Sequence, residues 1–193
     1  MLKEPKAKKI NTILTSHGHD RIDSYYWMSE RDNPDVLNYL RQENDYRNNF
    51  MSDYKNLENK IFSEIKNRIK DDDSSVPYYD NGYFYYTRFE KEKQYPIYCR
   101  KKKLKSKEEV LIDVNIFSKG FEYYRVGSID ISPDNKIMAY SYDTLSRRLY
   151  TIKFINLETG KEIGKSITNT SGGVSWAHDH KTIFYDKKNI ETL

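Results

Sequence analysis

The feature that most constrains this chain is an internal repeat. Asp80-Asn81-Gly82-Tyr83-Phe84-Tyr85-Tyr86 lies over Asp134-Asn135-Lys136-Ile137-Met138-Ala139-Tyr140 at an offset of 54 residues. The second copy lies over Asp179-His180-Lys181-Thr182-Ile183-Phe184-Tyr185 at an offset of 45. Each copy is a polar turn headed by Asp that feeds a strand ending in Tyr. Asp and Asn suit such turns because their side chains bond nearby backbone and tolerate positive φ. Upstream, Ile129-Asp130-Ile131-Ser132 also matches Val174-Ser175-Trp176-Ala177. A period of roughly 40–50 residues, with about four strands in each, is the spacing of β-propeller blades.

The strands expected around these turns are Tyr83–Phe89, Ile97–Lys102, Val110–Asn115, Ser128–Ser132, Ile137–Tyr142, Tyr150–Asn156, Val174–Trp176 and Thr182–Tyr185. Their alternation is imperfect, as in sheets covered on both faces. A propeller needs about four blades to close. Residues 77–193 supply two and the start of a third, and the chain stops at Leu193 directly after a strand. The expectation is therefore the front part of a larger protein.

Before Asp71 the pattern is helical. Asn33 is placed to cap a helix with Pro34 at its first position, where a missing N–H costs nothing. Val36, Leu37 and Leu40 begin an apolar stripe that continues through Tyr46, Phe50, Tyr54, Leu57, Ile61, Ile65 and Ile69. Spacings of three and four keep these on one helix face. The opposite face carries Arg47, Asn48, Asp53, Lys55, Glu58 and Lys66. The reading is one long helix, or two with a bend between about 48 and 56, whose apolar face needs a partner surface. Asp71-Asp72-Asp73 would sit at the negative end of the helix dipole, and Pro77 biases Val76 to an extended conformation. The helix is expected to stop there, in a solvated linker. Without the glycine and spaced oxygens of a calcium loop, the Asp run does not read as a calcium site.

Taken together, the stretches His17-Gly18-His19-Asp20-Arg21-Ile22-Asp23-Ser24-Tyr25-Tyr26-Trp27, Ser75-Val76-Pro77, Gly82–Tyr86, Lys93-Gln94-Tyr95-Pro96-Ile97-Tyr98-Cys99-Arg100, Ile131–Asn135, Asn156–Gly160 and Val174–Ala177 resemble the prolyl oligopeptidase family of serine peptidases. Within it, they resemble the oligopeptidase B (protease II) branch in particular. The resemblance implies an N-terminal helical segment (1–76) that packs on an α/β-hydrolase domain missing here. It also implies residues 77–193 as the first two to three blades of a seven-bladed β-propeller. The implied activity of the whole is cleavage of short peptides after Arg or Lys, with this part gating access and docking domains. Its implied partners are the missing hydrolase domain, the remaining blades and short basic peptides. The family's nucleophile sits in a Gly-x-Ser-x-Gly elbow, and no glycine pair in this chain brackets a serine at that spacing. No triad residue carries over, and the chain alone is expected to be inactive. A stand-alone propeller-type scaffold or interaction module is the alternative.

The residues whose type and spacing suggest other chemistry have plainer readings. His17/His19 and His178/His180 have the spacing of strand-borne metal ligands, but no third ligand is identifiable. Cys99, flanked by Tyr98 and Arg100, reads as a small packed residue rather than a nucleophile. Arg100-Lys101-Lys102-Lys103, with Lys105 and Lys107, is the one basic cluster. Glu90, Glu92, Glu108 and Glu109 balance it, which suits a solvated hairpin edge better than a nucleic-acid surface. Gly172-Gly173 lacks a following Lys-Ser/Thr and reads as a turn, not a phosphate loop. No catalytic, cofactor-binding or metal-ligating residue is assigned, and no cofactor is implied.

Composition bounds the rest. Hydrophobic residues are only 37%, but 18 Tyr, 8 Phe and 2 Trp bring aromatics to 15%, enough ring surface to exclude a disordered chain. The net charge is +4, no stretch approaches a membrane span, and no apolar run follows the basic N-terminus as a secretory signal would. A single cysteine excludes an internal disulfide framework and fits a reducing compartment. A cytoplasmic chain without nucleic-acid or membrane partners is expected.

Overall fold

The computed structural model describes residues 3–190, which cluster into two compact units that divide between Ile69 and Lys70. The first unit opens with a hairpin that the helical reading of this segment misses: β1 (Thr12–Ser16) pairs antiparallel with β2 (His19–Asp23). His17 and Gly18 form its two-residue turn, both at positive φ. That is the turn whose twist matches a hairpin. The strands are mostly polar, so no apolar alternation announces them. Ile13 and Ile22 face each other across the ladder and are exposed. A short 3₁₀ turn (Tyr26–Ser29) then buries Trp27, whose indole N–H donates to the Lys8 carbonyl at 3.0 Å.

Helix α1 (Pro34–Met51) begins as the sequence predicts, with the Asn33 side chain accepting from the Asp35 N–H at 2.9 Å. A 3₁₀ turn at Ser52–Tyr54 makes the bend, and α2 (Lys55–Arg68) follows. The apolar stripe is intact and uncovered. Val36 alone is buried on α1 and no residue is buried on α2, where Ile61 is 48% and Ile65 56% exposed.

In the second unit, β3 (Tyr78–Asp80), β4 (Tyr83–Arg88), β5 (Ile97–Lys101) and β6 (Glu109–Asp113) form a four-stranded antiparallel blade. Residues 73–75 extend the β3 side of the ladder rather than forming a free linker. The Ser75 N–H donates to the Thr87 carbonyl at 2.8 Å and the Phe89 N–H to the Asp73 carbonyl at 2.8 Å. The ladder lapses at Val76-Pro77, where proline has no N–H to offer. The strand expected over Val110–Asn115 ends at Asp113, whose carboxylate caps a one-turn helix, α3 (Val114–Phe117).

The second blade is β7 (Arg125–Ile131), β8 (Ile137–Asp143), β9 (Tyr150–Asn156) and β10 (Glu162–Trp176), in that order. Only the last three residues of β10 were expected as strand, because its run of Lys, Ser, Thr and Asn lacks apolar alternation. Gly172-Gly173 is not a turn between elements, as its composition suggests, but the bend within β10. Before it β10 is the outer strand on β9. From Thr170 on and across that bend, β10 pairs with β11 (Ile183–Lys187) and opens a third blade. Gly172 has φ +99°, and a Cβ there would lie 2.8 Å from the Tyr150 ring. On the other side of that ring, a Cβ at Gly127 would lie 2.7 Å away and 2.6 Å from the Ser141 hydroxyl.

The core lies between blades. Met138 and Tyr140 of β8 pack with Ile112, Val114 and Tyr124, and Phe117 meets the Tyr140 ring edge-on. Ala139, on the opposite face of β8, packs with Ile152 and Val174, flanked by Trp176 and Ile183. Four consecutive residues, Met138 to Ser141, are therefore buried. The repeat turns share one hydrogen-bond pattern. The Ser132 N–H donates to the Ile137 carbonyl at 2.8 Å, and Ala177 N–H to the Thr182 carbonyl at 2.9 Å. Asn81, Asn135 and His180 hold the same positive-φ position.

Two substitutions separate the packed blades from the uncovered helix. Met138→Ala should cost about 2–5 kcal/mol in urea unfolding of the chain. Ile61→Asp should change it by less than about 0.5 kcal/mol, as expected for an exposed site. A loss at Ile61 comparable to that at Met138 would mean that the helix face is covered.

Candidate functional site

Blade one is joined to blade two through its repeat turns: the Asn81 side-chain amide donates to the Pro133 carbonyl at 2.8 Å, and Asn135 returns a bond to the Asn81 carbonyl at 3.1 Å. Blade two meets the next inner strand at Trp176, whose backbone N–H and indole N–H donate to the Asp130 carboxylate and carbonyl, both at 3.2 Å. Between β3 and β7 these contacts leave a cleft of about 430 Å³. Tyr78 and Tyr85, stacked 5.6 Å apart, form one wall, and Val126, Ile129 and Ile131 contribute the other. Asp80 and Asp130 bring carboxylates to it. Burial holds the Asp130 carboxyl above the usual carboxylate range, and the Asp80 charge adds to this against the bonds from Trp176 and Ile131.

Behind the cleft lies an ionic network that the sequence reading treats only as edge charge. Arg88 donates through Nε and Nη2 to Glu108 at 2.9–3.1 Å and through Nη1 to Glu90 at 2.7 Å. The Tyr86 hydroxyl also donates to Glu108. The Arg88 bonds hold the Glu108 carboxyl below its ordinary range, and burial, then Glu108, raise the Tyr86 hydroxyl. Their spacing in sequence, 20 and 22 residues, gave no periodic signal.

The other candidates are scattered. His17 sits in the hairpin turn and His19 begins β2, so their rings do not share one face of a strand. His178 and His180 lie in the exposed turn before β11, in the other unit. Among the described residues no three His, Cys, Asp or Glu side chains converge as metal ligands. Cys99 is 1% exposed, and burial and then Glu108 push its thiol up to about 12. The basic cluster splits, which corrects its reading as a wholly solvated edge. Arg100 is buried, donates to Glu109 at 2.8 Å and lies 4.1 Å over the Tyr83 ring, whereas Lys102, Lys103, Lys105 and Lys107 are exposed. Among the described residues no helix is long and apolar enough to cross a membrane.

A hairpin and a broken helix, followed by two four-stranded antiparallel blades and a bent strand that opens a third, define the first part of a β-propeller protein. The one thiol lining the cleft between its blades, that of Cys99, is held protonated by burial. The model of the prolyl oligopeptidase N-terminal β-propeller domain matches residues 5–193, and the chain belongs to that family. It is 40% identical over 205 aligned residues to dipeptidyl aminopeptidase BI of Pseudoxanthomonas mexicana, covering 97% of this chain and 28% of the relative. It is 32% identical to protease 2 of Moraxella lacunata, covering 95% and 28%. Among solved structures, oligopeptidase B from Leishmania major superposes with a TM-score of 0.86 at 30% identity, covering 97% of this chain and 29% of that one. Oligopeptidase B from Trypanosoma brucei gives 0.83 at 26% identity. The chain thus spans little more than a quarter of the length of these relatives.

The state of Cys99 gives a pH prediction. Its folded thiol titrates at about 12 against an ordinary 9.0, so the unfolded chain loses that proton first. Its contribution to stability is complete below pH 9, and falls as pH rises toward 12. Raised Tyr86, Tyr124 and Tyr140 act in the same direction. Iodoacetamide at pH 8 should label the native chain at least about 100-fold more slowly than the urea-unfolded chain, because the thiolate is the nucleophile. Equal rates would show an open, ionised thiol.

Proposed function

We propose that this chain is the N-terminal part of an oligopeptidase B-like serine endopeptidase that cleaves short peptides after Arg or Lys. In this reading residues 77–193 contribute blades that restrict access to the active site. The helical segment packs on an α/β-hydrolase domain that holds the nucleophile, base and oxyanion hole. The observation that carries the proposal is the uncovered apolar face running from Leu40 through Ile69, in a chain matched along residues 5–193 to a propeller domain of peptidases. A helix with a continuous apolar stripe is stable when that stripe is buried. The relatives are more than three times as long, which leaves room for a domain to bury it. The lone cysteine supports a cytoplasmic setting.

The coding sequence beyond Leu193, read in all frames, should encode a Gly-x-Ser-x-Gly elbow followed by Asp and His. The polypeptide so completed should cleave peptide amides after Arg or Lys at a kcat/KM on the order of 100-fold or more above neutral residues. Release of dipeptides from free N-termini without that preference would instead match the activity named for the Pseudoxanthomonas relative, and would overturn the specificity. The 193-residue chain by itself should give no stoichiometric labelling with a fluorophosphonate, since acyl transfer needs an activated nucleophile and an oxyanion hole. Labelling at one serine would place the catalytic centre in this chain and refute the proposed division of labour.

A further inference from the structure

We propose that the cleft between the first two blades is a binding site for an alkylguanidinium, the side chain of an arginine in a peptide. Its two carboxylates carry the argument. In a chain with 33 Lys and Arg, no Lys, Arg or His lines the cleft among the described residues. Asp80 and Asp130 make no ion pair there: the nine ion pairs of the described residues involve neither. Asp130 is fixed in place through Trp176, with one oxygen accepting its N–H. The carboxylates also act on the wall, since both add to the burial that raises the Tyr78 hydroxyl.

The wall chemistry selects the kind of cation. Tyr78 stacks on Tyr85 and is itself 63% exposed, so an aromatic face is open to a ligand. A planar guanidinium can lie on such a face while donating in-plane to a carboxylate, and it is more weakly hydrated than an ammonium. The same chain pairs these groups elsewhere: Arg100 lies 4.1 Å over the Tyr83 ring while donating to Glu109. Valine and isoleucine on the β7 side suit the methylene stem of the ligand. About 430 Å³ exceeds one side chain and is within the range of ligand pockets, which leaves room for flanking peptide. Binding here needs no hydrolysis to be detected.

Calorimetric titration of the 193-residue chain at about 20 mM salt tests the assignment, using acetyl-Ala-Arg-Ala-amide and the peptide with citrulline in place of arginine. Citrulline keeps the shape and removes the charge. The arginine peptide should bind about tenfold or more tightly than the citrulline peptide. Asp80→Asn and Asp130→Asn should each weaken it about tenfold, with melting curves matching the parent, while Glu122→Gln, at an exposed residue outside the cleft lining, leaves it unchanged. Agmatine distinguishes the source of the cation: weaker binding than the arginine peptide assigns the cleft to peptides. Agmatine binding as tightly as the peptide would overturn the peptide assignment. Equal affinity for arginine and citrulline peptides, or binding unaffected by both Asp substitutions, would overturn the site altogether. Failure here would leave the specificity of the completed peptidase untouched, because that is read from cleavage.

Discussion

The structure depends on strand β8 being covered on both faces. Met138 and Tyr140 close the core toward the first blade, and Ala139 closes the core toward the start of the third. Ser141 is the polar exception in this buried run. Its hydroxyl accepts the Ser128 N–H at 2.9 Å and donates to the Gly172 carbonyl at 2.6 Å. A buried hydroxyl without partners would cost roughly 1–3 kcal/mol, so its two bonds turn a liability into a clasp between neighbouring inner strands. Gly127 and Gly172 allow that approach, since any Cβ would strike the Tyr150 ring between them. Each blade is thus completed by its neighbours rather than by its own residues, as expected of a repeat protein.

The same dependence explains how much of the fold could be read from the sequence. The repeat was legible because its turn has strict requirements. Asp134 and Asp179 accept backbone N–H groups two residues on, at 3.2 and 2.9 Å, and the next residue must enter positive φ. The helix was legible because its stripe follows a period of 3.6 with Asn33-Pro34 at its start. What escaped was structure whose cause lies elsewhere. Most of β10 is polar and is a strand because β9 offers it a ladder, and Gly172-Gly173 bends it because Tyr150 occupies the space. The β1–β2 hairpin has only its two-residue turn as a local signal. In the site, Tyr86, Arg88, Cys99 and Glu108 meet through strand pairing at separations that no local window contains. Asp80 and Asp130 line one cleft only because two blades place their inner strands side by side.

The two units divide the physical tasks. The blades bury their apolar residues among themselves and leave a negatively charged, aromatic cleft between inner strands. The helical unit buries little beyond Trp27 and Val36, and displays Leu40, Phe50, Leu57, Ile61, Ile65 and Ile69. A surface of that kind invites a protein partner, whereas the cleft, with its carboxylates, suits a cation in water. The family to which the chain belongs accounts for both within one proposal, in which the helical stripe meets a hydrolase domain and the blades filter what reaches it.

Native-state hydrogen exchange of the isolated chain tests the central claim that the blade stack, with β8 at its middle, is the stable unit. Amides of β8 and of its partner β9 should exchange only through global unfolding, tracking the full unfolding free energy. Amides of α2 and of β11, each with an uncovered face, should exchange through much smaller local openings. Protection in α2 equal to that of β8 would contradict the account, because the helix would then be folded into the same cooperative core.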